Sequence, residues 1–310
     1  MKKTDFSLWT FFENRIQEFQ VNRQYATAHH YRSAQHSFQR FLGNRELSFG
    51  QLDHPMLLSY NEWLMRKGLR MNTISFYNRV LRALCNEALA RGIRVRSGLF
   101  DGLYTRVAET RKRAIDMNAL QRIQCLDLSE SPQQAMYRDL FLFSFMAQGM
   151  AFVDLAFLRR EDLADNVLQY RRRKTGRVVS VYLEPVMLSI ILRHQRPDSP
   201  YLFPILSSMD ERTAYRQYQS ALTRYNQCLK DIAARTNQKH PLTSYVARHS
   251  WASTALKCHV PVGIISEAMG HASERTTRIY LDRLQTPAIA RENRKIIGML
   301  KSIKDTFVST

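Results

Sequence analysis

Apolar residues in the first third of the chain return every three or four positions. Leu8, Trp9, Phe12, Ile16 and Phe19 make one such stripe, the mark of an amphipathic helix. A second helix is predicted over 25–42, stopped by Gly43. A third is predicted over 54–67, with Asp53 as its cap and Gly68 as its end. A fourth opens at Asn72-Thr73 and runs through Val80, Leu84 and Leu89 to Gly92. Four helices with short loops predict a small bundle. Periodicity fades from Asp101 to Ile115, and Arg111-Lys112-Arg113 is a charge run, so this stretch reads as a linker.

Helical spacing resumes at Met117. Ser131-Pro132 reads as a cap and first-turn proline before a long apolar helix that ends near Gly149. The pattern then changes. Residues 167–174 and 177–183 are β-prone and are separated by Thr175-Gly176, a hairpin signal. Helices follow over 185–194, 212–234, 243–258, 261–269 and 273–282. A last one is predicted over 287–303 with Thr286 as cap. The expected fold is mainly α, a four-helix N-terminal domain and a mostly helical second domain with a small antiparallel sheet. The boundaries read as 1–104, a linker over 105–115, and 116–310.

Composition fits that division. The 310 residues are 45% hydrophobic and 24% charged, which suits folded domains and excludes a disordered chain. The charge adds something new. Lys and Arg number 46 against 27 Asp and Glu, a net +19, which asks for an acidic partner: nucleic acid, an anionic membrane or an acidic protein. The excess lies in both halves, 16 basic to 9 acidic up to residue 110 and 30 to 18 beyond it. The longest uncharged run, 140–153, is too short to span a bilayer. No secretion leader is read at the N-terminus, where Asp5, Glu13 and Arg15 interrupt the apolar pattern. Cys85, Cys125, Cys228 and Cys258 are scattered and read as reduced thiols. No phosphate-cradling glycine loop and no metal-ligand spacing is found, so no cofactor or metal is expected.

The chemistry concentrates between Leu242 and Leu284. Tyr245, Arg248 and His249 share one helix face at i, i+3 and i+4. His271 and Tyr280 stand nine residues apart, on opposite faces of a straight helix. They converge only if the chain breaks, and Ala272-Ser273 offers the break. Arg, His and Tyr gathered about one small anion suit phosphoryl transfer.

Tyr245-x-x-Arg248-His249, Met269-Gly270-His271 and Tyr280 together resemble the catalytic box of the tyrosine recombinases, the phage-integrase family. The Lys174-Thr175-Gly176 turn resembles that family's β-hairpin lysine. The N-terminal half resembles its SAM-like core-binding domain, and the variant is most similar to integrases of Bacteroidetes mobile elements. The resemblance implies a site-specific DNA recombinase, an integrase or invertase. Tyr280 is the implied nucleophile, forming a 3′-phosphotyrosine. Arg248 is the implied phosphate clamp, His271 a phosphate or proton partner, and Lys174 the acid for the 5′-oxygen. A DNA-binding protein of the same fold that has lost catalysis is the alternative.

Two departures stand out. Ala151 occupies the place of the family's first arginine, so another residue must supply that clamp. Arg172, two residues before Lys174, is preferred over Arg173, which points the other way along a strand, and over Arg138, ~20 Å off along a straight helix. Tyr245 replaces a histidine; its hydroxyl either donates to the phosphate or packs. His249 reads mainly as a brace for its helix. For DNA contact the candidates are Thr73, Tyr77, Asn78, Arg79 and Arg82 on the fourth helix, Arg32 on the second, and Arg275 and Arg278 near Tyr280. The family further implies duplex attachment or inversion sites, a homotetramer on DNA that exchanges the C-terminal helix, and accessory DNA-bending proteins. A cytoplasmic, nucleoid-associated place in a bacterium follows from the same resemblance.

Overall fold

The structure, a computed structural model, describes residues 6–108 and 114–280, the last three by backbone alone. The chain forms two compact units. The first takes the chain up to Arg111 together with Asp210–Tyr215, and the second takes Lys112–Met209 with the remainder from Arg216.

The first unit holds α1 (Leu8–Val21), α2 (Tyr25–Leu42), α3 (His54–Arg66) and α4 (Met71–Ala90), the four helices the apolar stripes predict. Ser7 and Asp53 cap α1 and α3 by accepting the amides of Thr10 and Met56. Gly43 closes α2 in the left-handed region, which only a residue without Cβ enters freely. Leu8 and Phe12 of α1, Phe38 of α2, Tyr60 of α3 and Leu81 and Leu84 of α4 meet in one core.

The polar side of α4 does not face solvent throughout. Asn72 donates to the Ala108 carbonyl (3.0 Å) and accepts the Ala108 amide (2.6 Å). Ser75 donates to the Arg106 carbonyl (2.6 Å). Asn78 donates to the Tyr104 carbonyl (3.1 Å) and exchanges hydrogen bonds with Asn61 of α3. The carbonyls of residues 104, 106 and 108 all face α4. The start of the expected linker is therefore strapped to α4; residues 109–113 lie outside the described residues.

The second unit holds α5 (Met117–Gln124), α6 (Pro132–Met146), α7 (Phe152–Ala156), α8 (Pro185–His194), α9 (Glu211–Arg235, begun in the first unit's segment), α10 (Ser244–Lys257), α11 (Val262–Ala268) and α12 (Glu274–Tyr280). A three-stranded antiparallel sheet, β1 (Leu163–Ala164), β2 (Val167–Arg171) and β3 (Val178–Tyr182), joins them in the order β1-β2-β3. Leu168 opposite Val181 and Tyr170 opposite Val179 turn inward. They pack with Phe141 and Phe143 of α6, Ile191 of α8 and Leu229 of α9. This is the mainly helical fold with a small antiparallel sheet that the pattern predicts. The short α7 and β1 carry too few residues for a period to show. Ser131 makes no side-chain cap on α6, where Pro132 alone fixes the first turn. The helix predicted over 287–303 lies outside the described residues. Among the described residues no helix is long and apolar enough to cross a membrane.

Asn78→Ala leaves Asn61 Oδ1 and the Tyr104 carbonyl without the Asn78 donor, while Asn61 Nδ2 keeps the Leu57 carbonyl. It is expected to lower stability by about 1–3 kcal/mol in urea unfolding and to speed tryptic cleavage after Arg106. An unchanged urea midpoint counts against the strap.

Candidate active site

Two helix ends and one buried side chain build the site. α11 ends in a Schellman turn: Gly270 is left-handed at φ +59°, its amide donates to Glu267 O (2.7 Å), and the His271 amide donates to Ser266 O (3.0 Å). That turn leaves the Met269 and Gly270 carbonyls facing inward. α6 ends at Met146, after which Gln148 and Gly149 both take positive φ and turn the Gly149 carbonyl inward. Orphan carbonyls at helix ends attract cations.

Arg248 of α10 answers both. It is 2% exposed and among the largest fully buried side chains. One Nη donates to Gly149 O (2.6 Å); the other donates to Met269 O (2.6 Å) and lies 3.0 Å from His271 Nε2. The approach requires glycine at 149. A Cβ there would sit 2.9 Å from Arg248 Cα, in a backbone conformation already foreign to other residues. The small neighbours Ala247, Ser250 and Ala252 let α10 be buried on nearly every side.

Arg172 enters from the sheet. The parity that buries Leu168 and Tyr170 also buries Arg172, just past the end of β2. Its Nη donates to Gly270 O (2.9 Å), an oxygen that also accepts from the Thr175 hydroxyl (3.0 Å). Asp154 of α7 lies beside it. Asp154 Oδ1 accepts the Arg173 amide (2.8 Å), and Oδ2 is 3.7 Å from Arg172 Nε, an ion pair without a hydrogen bond. Burial pushes the Asp154 carboxyl upward, opposed by the Arg173 amide and by Arg172 and Arg248.

His271 is 2% exposed, with Nδ1 2.8 Å from Thr277 Oγ1. Burial first, then the charges of Arg248, Arg172 and Lys174, hold its pKa down at about 3, so the ring is neutral. Two buried guanidiniums thus face one buried carboxylate, Asp154, beside a neutral imidazole.

The other expected residues fall as follows. Lys174 is exposed in the β2–β3 turn, because β2 ends at Arg171; strand parity does not place it with Arg172. It is still near enough to act on His271. Tyr245 is half exposed, its ring 6.2 Å from that of His249. Ala151 precedes α7 as its N-cap residue. Arg138 is held elsewhere, against Asp139 (2.9 Å) and the Leu126 carbonyl (2.7 Å). α12 reaches Tyr280, but the side chains of Tyr280 and Arg278 lie outside the described residues. Arg275, Arg32, Arg79 and Arg82 are exposed; Thr73 and Tyr77 are half-buried. Asn78 is corrected: it is fully buried, its amide holds Asn61 and Tyr104, and it offers nothing to an external polyanion. Sequence reasoning missed Asp154 and Thr277, short polar residues with no motif signal until contacts reveal them. Among the described residues no cluster could hold a metal ion.

Comparison with known proteins gives the family and the fold. The phage integrase family matches residues 118–286, and the phage integrase SAM-like domain matches residues 7–99. The chain belongs to the phage integrase family. It is 29% identical over 154 residues to the tyrosine recombinase XerA of Pyrococcus furiosus; the match covers 48% of this chain and about half, 51%, of that relative. The fold resembles the Tn1549 transposon integrase in complex with a circular intermediate DNA (TM-score 0.66, 15% identity, covering 92% of this chain and 98% of that one). It also resembles a lambda integrase tetramer bound to a Holliday junction (TM-score 0.64, 14% identity, 92% and 80% covered).

Two outcomes test the geometry. Gly149→Ala forces a Cβ onto Arg248 at a left-handed residue and is expected to destabilise by at least about 2 kcal/mol, read by thermal unfolding. The histidine carries a pH signature. Its folded pKa lies below the usual 6.5, so between pH 6.5 and about 3 the unfolded chain binds a proton that the folded chain refuses. Stability from this residue is present above pH 6.5 and falls as pH drops, by up to about 1.4 kcal/mol per pH unit. Urea unfolding at pH 7 and 5.5 should show a steeper fall for wild type than for His271→Gln; equal slopes contradict the assignment.

Proposed function

We propose that this chain is a site-specific DNA recombinase that cleaves and rejoins duplex DNA through a covalent 3′-phosphotyrosine. The observation that supports it most is the buried Arg248–Arg172–His271 cluster, whose positive charge a single phosphate would balance. In this reading the Tyr280 oxygen attacks the scissile phosphorus. The P–O bond to the 5′-oxygen breaks, and the 5′-hydroxyl leaves with a proton from Lys174. Arg248 and Arg172 hold the non-bridging oxygens, so Arg172 supplies the clamp that Ala151 lacks. Asp154 keeps Arg172 and the lysine turn in place. Arg248 turns to the phosphate in this reading, and neutral His271 then takes the Tyr280 phenolic proton on Nε2. Rejoining reverses the step, because the bond energy stays in the protein–DNA linkage.

Residues 1–104 would serve as the core-binding domain, 105–115 as linker and 116–310 as the catalytic domain. Thr73, Tyr77, Arg79, Arg82, Arg32, Arg275 and Arg278 are the proposed DNA contacts, and Tyr245 a further phosphate donor. The partner would be a duplex attachment or inversion site of a bacterial mobile element of the Bacteroidetes kind. A homotetramer exchanging the C-terminal helix, accessory bending proteins and a cytoplasmic, nucleoid-associated place belong to the same reading. Ala151 keeps a binding-only protein as the second reading.

A nicked duplex carrying the mobile element's own attachment site separates the two. Wild type is expected to form a denaturant-resistant adduct that Tyr280→Phe abolishes; specific binding without any adduct favours the binding-only reading. Arg172→Ala is expected to slow adduct formation ~10²–10³-fold, as loss of an oxyanion donor does, whereas Arg138→Ala stays near wild type. A near-wild-type rate for Arg172→Ala removes Arg172 from the site.

A further inference from the structure

The hydrogen bonds at His271 leave one proton arrangement. A guanidinium carries donors only and keeps its charge at any working pH. Arg248 Nη2 stands 3.0 Å from His271 Nε2, so Nε2 must accept. The ring is neutral, so its hydrogen sits on Nδ1 and is donated to Thr277 Oγ1 at 2.8 Å. Thr277 is wholly buried. It lies on α12, one helical turn before Tyr280.

We propose that Thr277 is a positioning residue that anchors the His271 ring, in the Nδ1–H tautomer Arg248 selects, and ties the seating of α12 to the state of the phosphate site. This deepens the recombinase reading and rests on it for its catalytic consequence. Only Ala272 and Ser273 separate His271 from α12, so the bond closes a tight loop back onto the histidine. A hydrogen bond of this kind is lost when its partners part by about an ångström. The helix that carries the nucleophile therefore fixes the acceptor nitrogen only while it is seated. When α12 is displaced, His271 loses the partner that sets its ring, and the acceptor beside Arg248 is no longer held. In this way the nucleophile and its proton partner would become competent together. The depressed pKa of about 3 agrees with a ring that stays neutral until an arriving phosphate offsets the two guanidiniums.

Threonine and valine share the same branched shape, so Thr277→Val removes the acceptor and little else. Thr277→Ser keeps the hydroxyl. Imidazole nitrogen shifts in histidine-labelled full-length protein read the tautomer directly and need no DNA; the His271 signal is assigned by its loss in His271→Gln. Wild type and Thr277→Ser are expected to show a single Nδ1–H state. Thr277→Val is expected to keep that tautomer, which Arg248 sets, but to lose the Nδ1–H hydrogen bond, read as a shifted Nδ1 signal, and to slow adduct formation ~10- to 100-fold on the nicked attachment-site duplex, the usual effect of deleting a functional histidine's outer partner. Thr277→Ser is expected to recover most of that rate. A Thr277→Val protein whose His271 Nδ1 signal stays at the wild-type position overturns the proposal, as does a Thr277→Ser protein whose Nδ1 signal moves as valine's does. If the Nδ1 signals respond as expected but wild type forms no adduct, the recombinase reading fails and the positioning role of Thr277 stands.

Discussion

A buried guanidinium seated on backbone carbonyls organises the second unit. Arg248 is held by two backbone carbonyls, one at the end of α6 and one at the end of α11. Neither carbonyl has an intrahelical partner, so the arginine satisfies oxygens that would otherwise be orphaned. The same contact draws Gly149, Met269 and His271 around one point. Much of the local sequence follows from it. Gly149 must be glycine because α6's end lies against the Arg248 backbone. Gly270 must be glycine because a Cβ would stand 2.7 Å from Val179 and 3.1 Å from Arg172. The sheet is thereby pressed against the turn of α11, and Arg172 reaches the carbonyl next to the one Arg248 holds.

The electrostatics follow from that packing. Among the described residues two buried guanidiniums stand beside one buried carboxylate, and burying such charges is costly for groups removed from water. His271 does not worsen it, because the cations keep its ring neutral. Carbonyl dipoles make the arrangement tolerable in the free protein. A phosphate oxygen is a stronger acceptor than a carbonyl, so a phosphodiester would compete well for the same donors. In the proposed reading, the chain's net charge of +19 would draw such a ligand in, and the buried cations would decide where one phosphate rests.

The sequence made the larger elements readable for a physical reason. α1 to α4, α6 and α9 each bury a long stripe, and a stripe repeated over several turns leaves a period. α7, at five residues, and β1, at two, do not. The buried cluster was legible where residue type and spacing were fixed together, as in Arg248 and Met269-Gly270-His271, whereas the Tyr280 side chain lies outside the described residues. It was less legible where one side chain acts through another. Asp154 and Thr277 look like ordinary helix residues until a hydrogen bond to Arg173 or His271 gives them meaning. Asn78 shows the opposite error. Its place on a basic, polar helix suggested DNA, yet that polar face is turned inward to strap the segment after the bundle. Arg172 was legible by alternation alone, but Lys174 was not, since the strand had already ended.

The most direct measurement is a crystal structure of the wild-type chain trapped on a nicked attachment-site duplex. The expected result is a scissile phosphate with oxygens about 2.7–3.1 Å from guanidinium nitrogens of both Arg248 and Arg172, next to His271 Nε2. A phosphate bound elsewhere, with both guanidiniums still closed on the Gly149, Met269 and Gly270 carbonyls, would contradict it.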